Sequence, residues 1–193
     1  YDVNLKKARL AILKKYKNFS FSKAKIENSK DLGKAFKKFK PTVVIHLAAQ
    51  AGVRYSIEKP RVYLDSNITG TYNIIEIAKR LNVKHLIMAS SSSVYGANKK
   101  IPFKEVDKTE IQMSIYAATK KSNESMAHAY SNIWRIPITM VRFFTVYGPW
   151  GRPDMALFKF TRGILNNKKI DIYNNGKMYR DFTYIDDIVN GIN

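Results

Sequence analysis

A chain of 193 residues with 45% hydrophobic residues is long enough to bury a substantial core within one domain. It contains no cysteine, which excludes a disulfide framework, a thiolate metal site and a cysteine nucleophile, and favours a reducing compartment, by default the cytoplasm. The formal net charge is +19, and no uninterrupted apolar run approaches the roughly 20 residues that cross a bilayer.

The basic charge is spread along the chain rather than gathered on one segment. Lysines such as Lys14, Lys99 and Lys168 occur throughout the sequence and do not cluster beside stacking aromatic residues. Because nucleic-acid-binding proteins concentrate their cations on one face, we predict neither a nucleic-acid nor a membrane partner. The positive field would, however, attract a small substrate that carries phosphate groups.

Short apolar runs alternate with longer amphipathic runs, which is the pattern of strands joined by crossover helices. In chain order we predict a helix over 5–16, a strand over 42–47, a helix over 61–81, a strand over 84–89, a helix over 116–134, a strand over 137–144 and a helix beginning near 184. The predicted fold class is therefore α/β, with a doubly wound parallel sheet of the Rossmann-like kind. We expect it to be incomplete at both ends, because no strand with a glycine-rich turn precedes the first helix.

The strongest local signal for chemistry is the segment YAATK, in which Tyr116 and Lys120 stand four residues apart in a predicted helix. Residues at that spacing project from the same helix face. An ammonium group beside a phenol lowers the phenol pKa from its ordinary value of about 10, so this tyrosine is a candidate general base. Taken alone, the spacing occurs often by chance, and an ordinary polar helix face is the simpler interpretation.

A run of hydroxyl residues supplies the context that favours catalysis. The four serines at 90–93 follow directly on the apolar strand that ends in Leu86, Ile87 and Met88. Hydroxyls at the carboxyl end of a parallel strand point into the crevice where ligands bind. Without the downstream tyrosine and lysine the run would be an ordinary polar turn, but together these residues predict a catalytic triad.

The strand-end serines and the YxxxK spacing resemble the extended short-chain dehydrogenase/reductases, and the resemblance spans nearly the whole chain. It implies that NAD is the cofactor. It also implies that Tyr116 takes a hydroxyl proton, that Lys120 holds the nicotinamide ribose, and that Ser91 binds the reacting oxygen, with Ser92 as the neighbouring possibility.

The resemblance also implies residues that bind the cofactor and residues that bind the substrate. Besides Tyr116 and Lys120, those implied near NAD are Leu47, Ala48, Ala49, Ala51, Asn67 and Phe144; those implied near the substrate are Ser91, Ser92, Thr145, Arg152 and Arg180. No metal is implied. We expect residues 1–147 to form an NAD-binding domain without its glycine-rich strand and turn, and residues 148–193 to begin a substrate-binding region, of which 181–193 return to the first domain.

The resemblance leaves epimerases, dehydratases and decarboxylases of nucleotide sugars as candidate classes, since all can begin by oxidising the sugar to a ketone. Dehydratases of the family carry an acidic pair directly after the catalytic hydroxyl residue, and decarboxylases usually carry a glutamate at the second of those positions. This sequence has Ser92 and Ser93 there. Because epimerisation needs no further proton-transfer group, the resemblance favours an epimerase, an isomerase acting on a UDP-sugar.

Two longer segments, residues 46–60 (HLAAQAGVRYSIEKP) and 148–156 (GPWGRPDMA), resemble UDP-glucuronate 4-epimerases, which form UDP-galacturonate through a 4-keto intermediate. A substrate carboxylate favours a guanidinium partner, for which Arg152 is the candidate and a surface arginine the alternative. Arg180 matches the segment near the substrate diphosphate, with pairing to Asp181 as its alternative. A homodimer of the full-length protein is also implied.

Departures from the family pattern keep other hypotheses open. Lys25 stands where the family usually has an aspartate near the adenine, and a lysine cannot accept the adenine amino hydrogen bond. The alternatives are an epimerase of UDP-glucose or UDP-N-acetylhexosamines, a related dehydratase or decarboxylase, and a noncatalytic protein that binds nucleotide sugars.

Overall fold

The computed structural model describes all residues, Tyr1–Asn193, in two compact units. The central unit comprises Ser22–Phe143, and the terminal unit comprises Tyr1–Phe21 together with Phe144–Asn193. Packing therefore places the unit boundary after residue 143 and groups the first 21 residues with the carboxyl-terminal ones. The functional division at residue 147 stays a prediction.

Helices and strands alternate along most of the chain. The elements are α1 (Val3–Leu13), α2 (Ser29–Phe39), β1 (Val43–His46), α3 (Val53–Glu58), α4 (Pro60–Tyr63), α5 (Thr71–Arg80), β2 (His85–Ala89), α6 (Ile115–Trp134), β3 (Ile138–Val141), β4 (Thr145–Tyr147), α7 (Ala156–Leu165), β5 (Phe182–Tyr184) and α8 (Ile185–Ile192). A π-helical segment, Leu64–Gly70, joins α4 to α5, and short 3-10 turns cover Ser92–Tyr95 and Tyr173–Gly176. None of the helices combines the length and the apolar character needed to cross a membrane.

The central unit is built on a parallel sheet of three strands in the order β1-β2-β3. Val44 pairs in register with Leu86, and Met88 pairs with Met140. Neighbouring parallel strands need a crossover connection, which α5 and α6 supply after β1 and β2. The predicted α/β class and parallel sheet are confirmed, and the carboxyl ends of the strands share one edge.

The core of the central unit lies between the sheet and its crossover helices. Ile75, Leu86 and Met88 are almost completely buried, and Ile138 and Met140 of β3 pack against their cluster. Burying a large aliphatic side chain contributes about 2 kcal/mol, so this cluster fixes the position of α5 on the sheet.

The helix predicted over 61–81 is present, but it widens into the π-helical segment between α4 and α5. Gly70 ends that segment where the chain passes close to Ile26. A Cβ atom on Gly70 would lie 2.6 Å from that side chain, so glycine permits the close approach. π-Helical turns are rare and occur frequently at functional sites.

The terminal unit contains a separate parallel pair, β4 and β5, in which Thr145 pairs with Phe182. Helix α8 follows β5 directly and corresponds to the helix predicted from residue 184. Helix α1 begins two residues before the predicted position, and its Arg9 donates hydrogen bonds to the carbonyls of Trp150 and Gly151. These bonds tie the first helix to the loop after β4.

Candidate active site

Tyr116 lies in the first turn of α6, where a local cap sets the helix start. The Oγ atom of Ser114 accepts a hydrogen bond of 3.0 Å from the amide of Ala117, which satisfies a free N–H group at the helix end. The half-buried Tyr116 ring meets the edge of the Tyr63 ring, with centroids 6.2 Å apart. Tyr63 in turn donates to the carbonyl of Gly52 at 2.6 Å, so the aromatic pair is anchored to the loop after β1.

Lys120 lies one helical turn further along α6 and is buried. Its Nζ atom donates a hydrogen bond of 2.7 Å to the carbonyl of Ala89, the last residue of β2. Burial lowers the pKa of Lys120 to about 8, so the side chain is still mainly a cation at neutral pH. The structure therefore brings the predicted lysine to the strand end where the serine run begins.

The serines after β2 turn sharply away from the sheet. Ser91 is buried, and its Oγ atom accepts a hydrogen bond of 3.1 Å from the amide of Ser93. Ser91 thereby caps the 3-10 turn that begins at Ser92. The amide of Ser92 donates to the carbonyl of Phe143 at 2.9 Å. Gly96 ends the turn with φ at +55°, and a Cβ atom there would lie 1.9 Å from the Ile111 carbonyl oxygen, so only glycine fits.

Asn67 supports the loop after β1 from within the π-helical segment. It is completely buried, and its side chain both accepts from the Gln50 amide at 2.8 Å and donates to the Gln50 carbonyl at 3.1 Å. It also donates to the Thr119 hydroxyl on α6 at 3.0 Å. Asn67 therefore links the loop to the helix that carries Tyr116, and its predicted place near NAD stays a prediction.

The residues that follow β1 are mostly open to solvent. Leu47 is 55% exposed, Ala48 and Ala49 are exposed, and Ala51 is half-buried. Because alanine side chains are short, a flat ligand could lie against the backbone at this strand end. Lys25 is also exposed, in the segment before α2, and its predicted effect on adenine binding stays a prediction.

His46, at the end of β1, belongs to a buried polar cluster that the sequence analysis did not assign to the site. Its Nε2 atom lies 3.0 Å from the Thr71 hydroxyl, which also accepts from Asn123 of α6 at 3.3 Å. Burial and then the charge of Lys120 lower the pKa of His46 to about 4. A polar residue within an apolar strand run was the only sequence signal for this cluster.

The His46 pKa predicts a specific acid sensitivity. In the unfolded chain the imidazole takes up a proton below pH 6.5, whereas the folded chain resists protonation until about pH 4, so the free energy of unfolding falls as the pH drops through this window. From pH 7 to pH 5 we expect His46 to account for a loss of about 2 kcal/mol, which His46→Gln should remove.

Urea unfolding at both pH values measures this difference. His128, which is exposed on α6, offers the control, because His128→Gln should keep the acid sensitivity of the wild type. Parallel stability losses in the His46 variant and the wild type would show that the imidazole is not held neutral.

The remaining predicted residues, Phe144, Thr145, Arg152 and Arg180, lie in the terminal unit. Thr145 begins β4, Phe144 is half-buried, and Arg180 is exposed. The guanidinium of Arg152 pairs with the Asp154 carboxylate, with Nε 3.0 Å from Oδ1, and this hydrogen bond lowers the pKa of Asp154. The roles predicted for these four residues stay predictions.

Comparison with known proteins gives a family and close relatives. The model of the NAD dependent epimerase/dehydratase family matches residues 3–193. The chain is 60% identical over its full length to Protein CapI of Staphylococcus aureus and 56% identical to a protein of Rhizobium meliloti described as a probable UDP-glucuronate 4-epimerase. It spans only 57% and 56% of the lengths of these two relatives.

A solved structure shows the same fold at high similarity. The UDP-glucuronic acid 4-epimerase of Bacillus cereus, in complex with UDP-glucuronic acid and NAD, superposes with a TM-score of 0.91 and 38% identity. The alignment covers 98% of this chain and 59% of the Bacillus cereus chain.

Proposed function

Because the chain belongs to the NAD dependent epimerase/dehydratase family, we propose that it carries the catalytic residues of an NAD-dependent isomerase that interconverts UDP-glucuronate and UDP-galacturonate. One observation carries the proposal: α6 brings both Tyr116 and Lys120 to the same edge of the sheet. Tyr116 lies beside the loop after β1, and Lys120 donates to the last carbonyl of β2, two residues before Ser91. A phenol, a cation and a hydroxyl residue at one sheet edge suit the reversible oxidation of a sugar alcohol.

The residues at this edge fit a bound NAD. Ala48 and Ala49 leave the backbone after β1 accessible, and Lys120 offers a cation for the ribose hydroxyls. Leu47, Ala51, Asn67 and Phe144 complete the proposed contacts. Bound at this edge, NAD would supply the oxidising chemistry, a reversible hydride transfer at C4 of the sugar.

The protein's own residues supply the proton chemistry. Tyr116 takes the C4 hydroxyl proton as the ketone forms and gives it back as the alcohol is restored, so the reaction has no net redox change. Lys120 favours the phenolate that this step requires. Ser91 donates a hydrogen bond to the reacting oxygen, and Ser92 extends the contact toward the sugar.

The side chains beside Ser91 support epimerisation over elimination of water. Dehydration of a keto sugar needs an additional acid and an additional base. The hydroxyls of Ser92 and Ser93 serve as neither acid nor base at neutral pH. Family resemblance also supports Arg180 near the substrate diphosphate, Thr145 near the sugar and a homodimer, as parts of this proposal. The proposed cytoplasmic location rests on the cysteine-free composition, which suits a reducing compartment.

The substrate assignment is tested by adding UDP-sugars to the full-length protein and reading the C4 configuration of the product by NMR. We expect conversion of UDP-glucuronate to UDP-galacturonate, with slower or no turnover of UDP-glucose and UDP-N-acetylglucosamine. Conversion of the neutral sugars alone would replace the glucuronate assignment by the alternative epimerase.

Arg152→Ala tests the carboxylate contact in the same assay. If the guanidinium leaves Asp154 for the substrate, its loss should lower kcat/KM for UDP-glucuronate by about 30-fold, or about 2 kcal/mol, because a charge-assisted hydrogen bond disappears. Any UDP-glucose turnover should change little, since that sugar has no carboxylate. Equal losses for both substrates would assign Arg152 to loop structure, with its partner Asp154.

A further inference from the structure

A glutamate lies one turn beyond the lysine on the same face of α6. Tyr116, Lys120 and Glu124 follow one another at intervals of four residues, so their side chains share one stripe of the helix. Tyr116 and Lys120 belong to the proposed catalytic group, whereas nothing in the sequence pattern assigns Glu124. Its side chain is only 10% exposed.

The Glu124 carboxylate collects hydrogen bonds from several parts of the central unit. Oε1 accepts from the Ser90 hydroxyl at 2.6 Å and from Nε of Arg142 at 2.9 Å. Oε2 accepts from Nη2 of Arg142 at 3.0 Å, and Nζ of Lys121 lies 3.5 Å away. Arg142 thus binds the carboxylate with both arms of its fork, which is the most directional form of this ion pair.

Arg142 extends the contact to the 3-10 turn Ser92–Tyr95. It comes directly after β3, and its guanidinium lies 5.0 Å from the centre of the Tyr95 ring. Its Nη1 atom donates to the Glu105 carbonyl at 3.0 Å. Glu124 therefore joins α6, the end of β2 and the end of β3, and through Arg142 it reaches the far end of the 3-10 turn.

The environment of the Glu124–Arg142 pair keeps both groups ionised. Burial alone would raise the pKa of Glu124, but the hydrogen bonds from Arg142 and Ser90 and the charges of Arg142 and Lys121 outweigh it and lower the pKa. The hydrogen bond with Glu124 also raises the pKa of Arg142. The ion pair stays charged across the range in which the enzyme would work.

Two successive residues at the end of β2 are thus held by two successive turns of one helix. Lys120 binds the carbonyl of Ala89, and Glu124 binds the hydroxyl of Ser90. Ser91 is the next residue, and it starts the turn that ends beneath Arg142. Its position relative to Tyr116 is therefore set from the helix that carries Tyr116.

We propose that Glu124 is a positioning residue that acts through Ser90 and Arg142 to place the Ser91 hydroxyl for the reaction at Tyr116. This inference rests on the proposed function for its catalytic part. A buried ion pair by itself is weak evidence even for stability, so the test separates positioning from a general structural role.

The kinetic test compares Glu124→Gln in two backgrounds of the full-length protein. With Ser91 present, kcat for UDP-glucuronate should fall by about 10-fold or more, because small displacements of a reacting group are costly, while KM changes little. In the Ser91→Ala background, the same substitution should change kcat by less than about 2-fold, since the hydroxyl that it positions is already absent. An equal loss in both backgrounds would overturn the positioning role.

Glu76 offers a matched control carboxylate. It accepts hydrogen bonds of 2.7 Å from both Lys79 and Tyr130, and its side chain is 22% exposed. Glu76→Gln therefore also disrupts a partly buried carboxylate, which pairs with Lys79 within α5 and accepts from Tyr130 of α6 but does not involve the serines. We expect it to lower the thermal midpoint while leaving kcat unchanged. A fall in kcat matching that of the Glu124 variant would mean that weakened packing alone explains both losses.

Hydrogen exchange tests the placement without relying on turnover. The amides of Ser92, Val94 and Gly96 are bonded within and around the 3-10 turn, so Glu124→Gln should speed their exchange by about 10-fold, and Glu76→Gln should not. Unchanged exchange would overturn the inference even in an active enzyme. Faster exchange in a protein that converts no UDP-sugar would uphold the placement of the turn and reject the proposed function.

Discussion

Replacing Tyr116 by phenylalanine should lower kcat for UDP-glucuronate by at least about 100-fold in the full-length protein, because the only change is loss of the hydroxyl that carries the proton. The ring should keep its place, since its contact is the edge of the Tyr63 ring at a centroid distance of 6.2 Å. The free energy of unfolding should therefore remain within about 1 kcal/mol of the wild type.

Steady-state kinetics and thermal unfolding of the same preparations measure the two quantities. Tyr16→Phe serves as the control, because it removes a phenolic hydroxyl from an exposed ring outside α1. It should leave both quantities unchanged. If Tyr116→Phe retained near-normal turnover, another group would have to carry the proton, and the proposed mechanism would be wrong.

Lys120→Met should reduce turnover at neutral pH by about 100-fold and move the remaining activity to higher pH. The cation favours the phenolate and so lowers the pKa of the neighbouring phenol; without the cation the base form appears only at higher pH. The pH dependence of kcat measures this change, and an unchanged profile would remove Lys120 from the proton step.

Stability distinguishes this effect from damage to the fold. Since burial lowers the pKa of Lys120 from 10.5 to about 8, the folded chain binds the proton less tightly than the unfolded chain, and at neutral pH the buried cation destabilises the fold. Methionine removes that cost, although it also loses the hydrogen bond to Ala89. We expect no large stability loss. The control Lys79→Met breaks the ion pair with Glu76 and should keep the wild-type pH profile.

The members of the proposed catalytic group could be singled out from sequence because they are close in the chain or mark a strand end. Tyr116 and Lys120 are related by helical spacing, and the serines follow an apolar run. The roles of these residues came from the family resemblance. The parallel sheet followed from the alternation of strands and helices, whereas the strand order β1-β2-β3 came from the structure. What local rules could not supply is the hydrogen bond from Lys120 to Ala89, which depends on how α6 packs on the sheet.

Glu124 and Arg142 were missed for the same reason. A glutamate four residues after a lysine is typical of a solvated helix face, and only the folded chain shows its carboxylate against an arginine 18 residues away. Helix α2 was also missed, although Asn28 caps it by accepting from the amides of Lys30 and Asp31. The π-helical widening around Asn67 has no reliable sequence signal, because it differs from an α-helix only in its backbone pairing.

For Arg152, the residue type indicated a carboxylate partner, but the sequence did not reveal which carboxylate that partner is. Sequence indicated an arginine suited to a carboxylate, and the structure shows a carboxylate bound to it, that of Asp154 two residues away. A guanidinium can exchange one carboxylate for another of similar geometry, so the proposed role of Arg152 requires that the substrate carboxylate displace Asp154.

Gly96 limits how this protein can diverge. A clash between two side chains can be relieved by a compensating substitution of the partner residue. At Gly96 the obstacle is the main-chain oxygen of Ile111, which every amino acid carries. No second-site change of residue type can therefore relieve a substitution there, so position 96 requires glycine whatever residue occupies position 111.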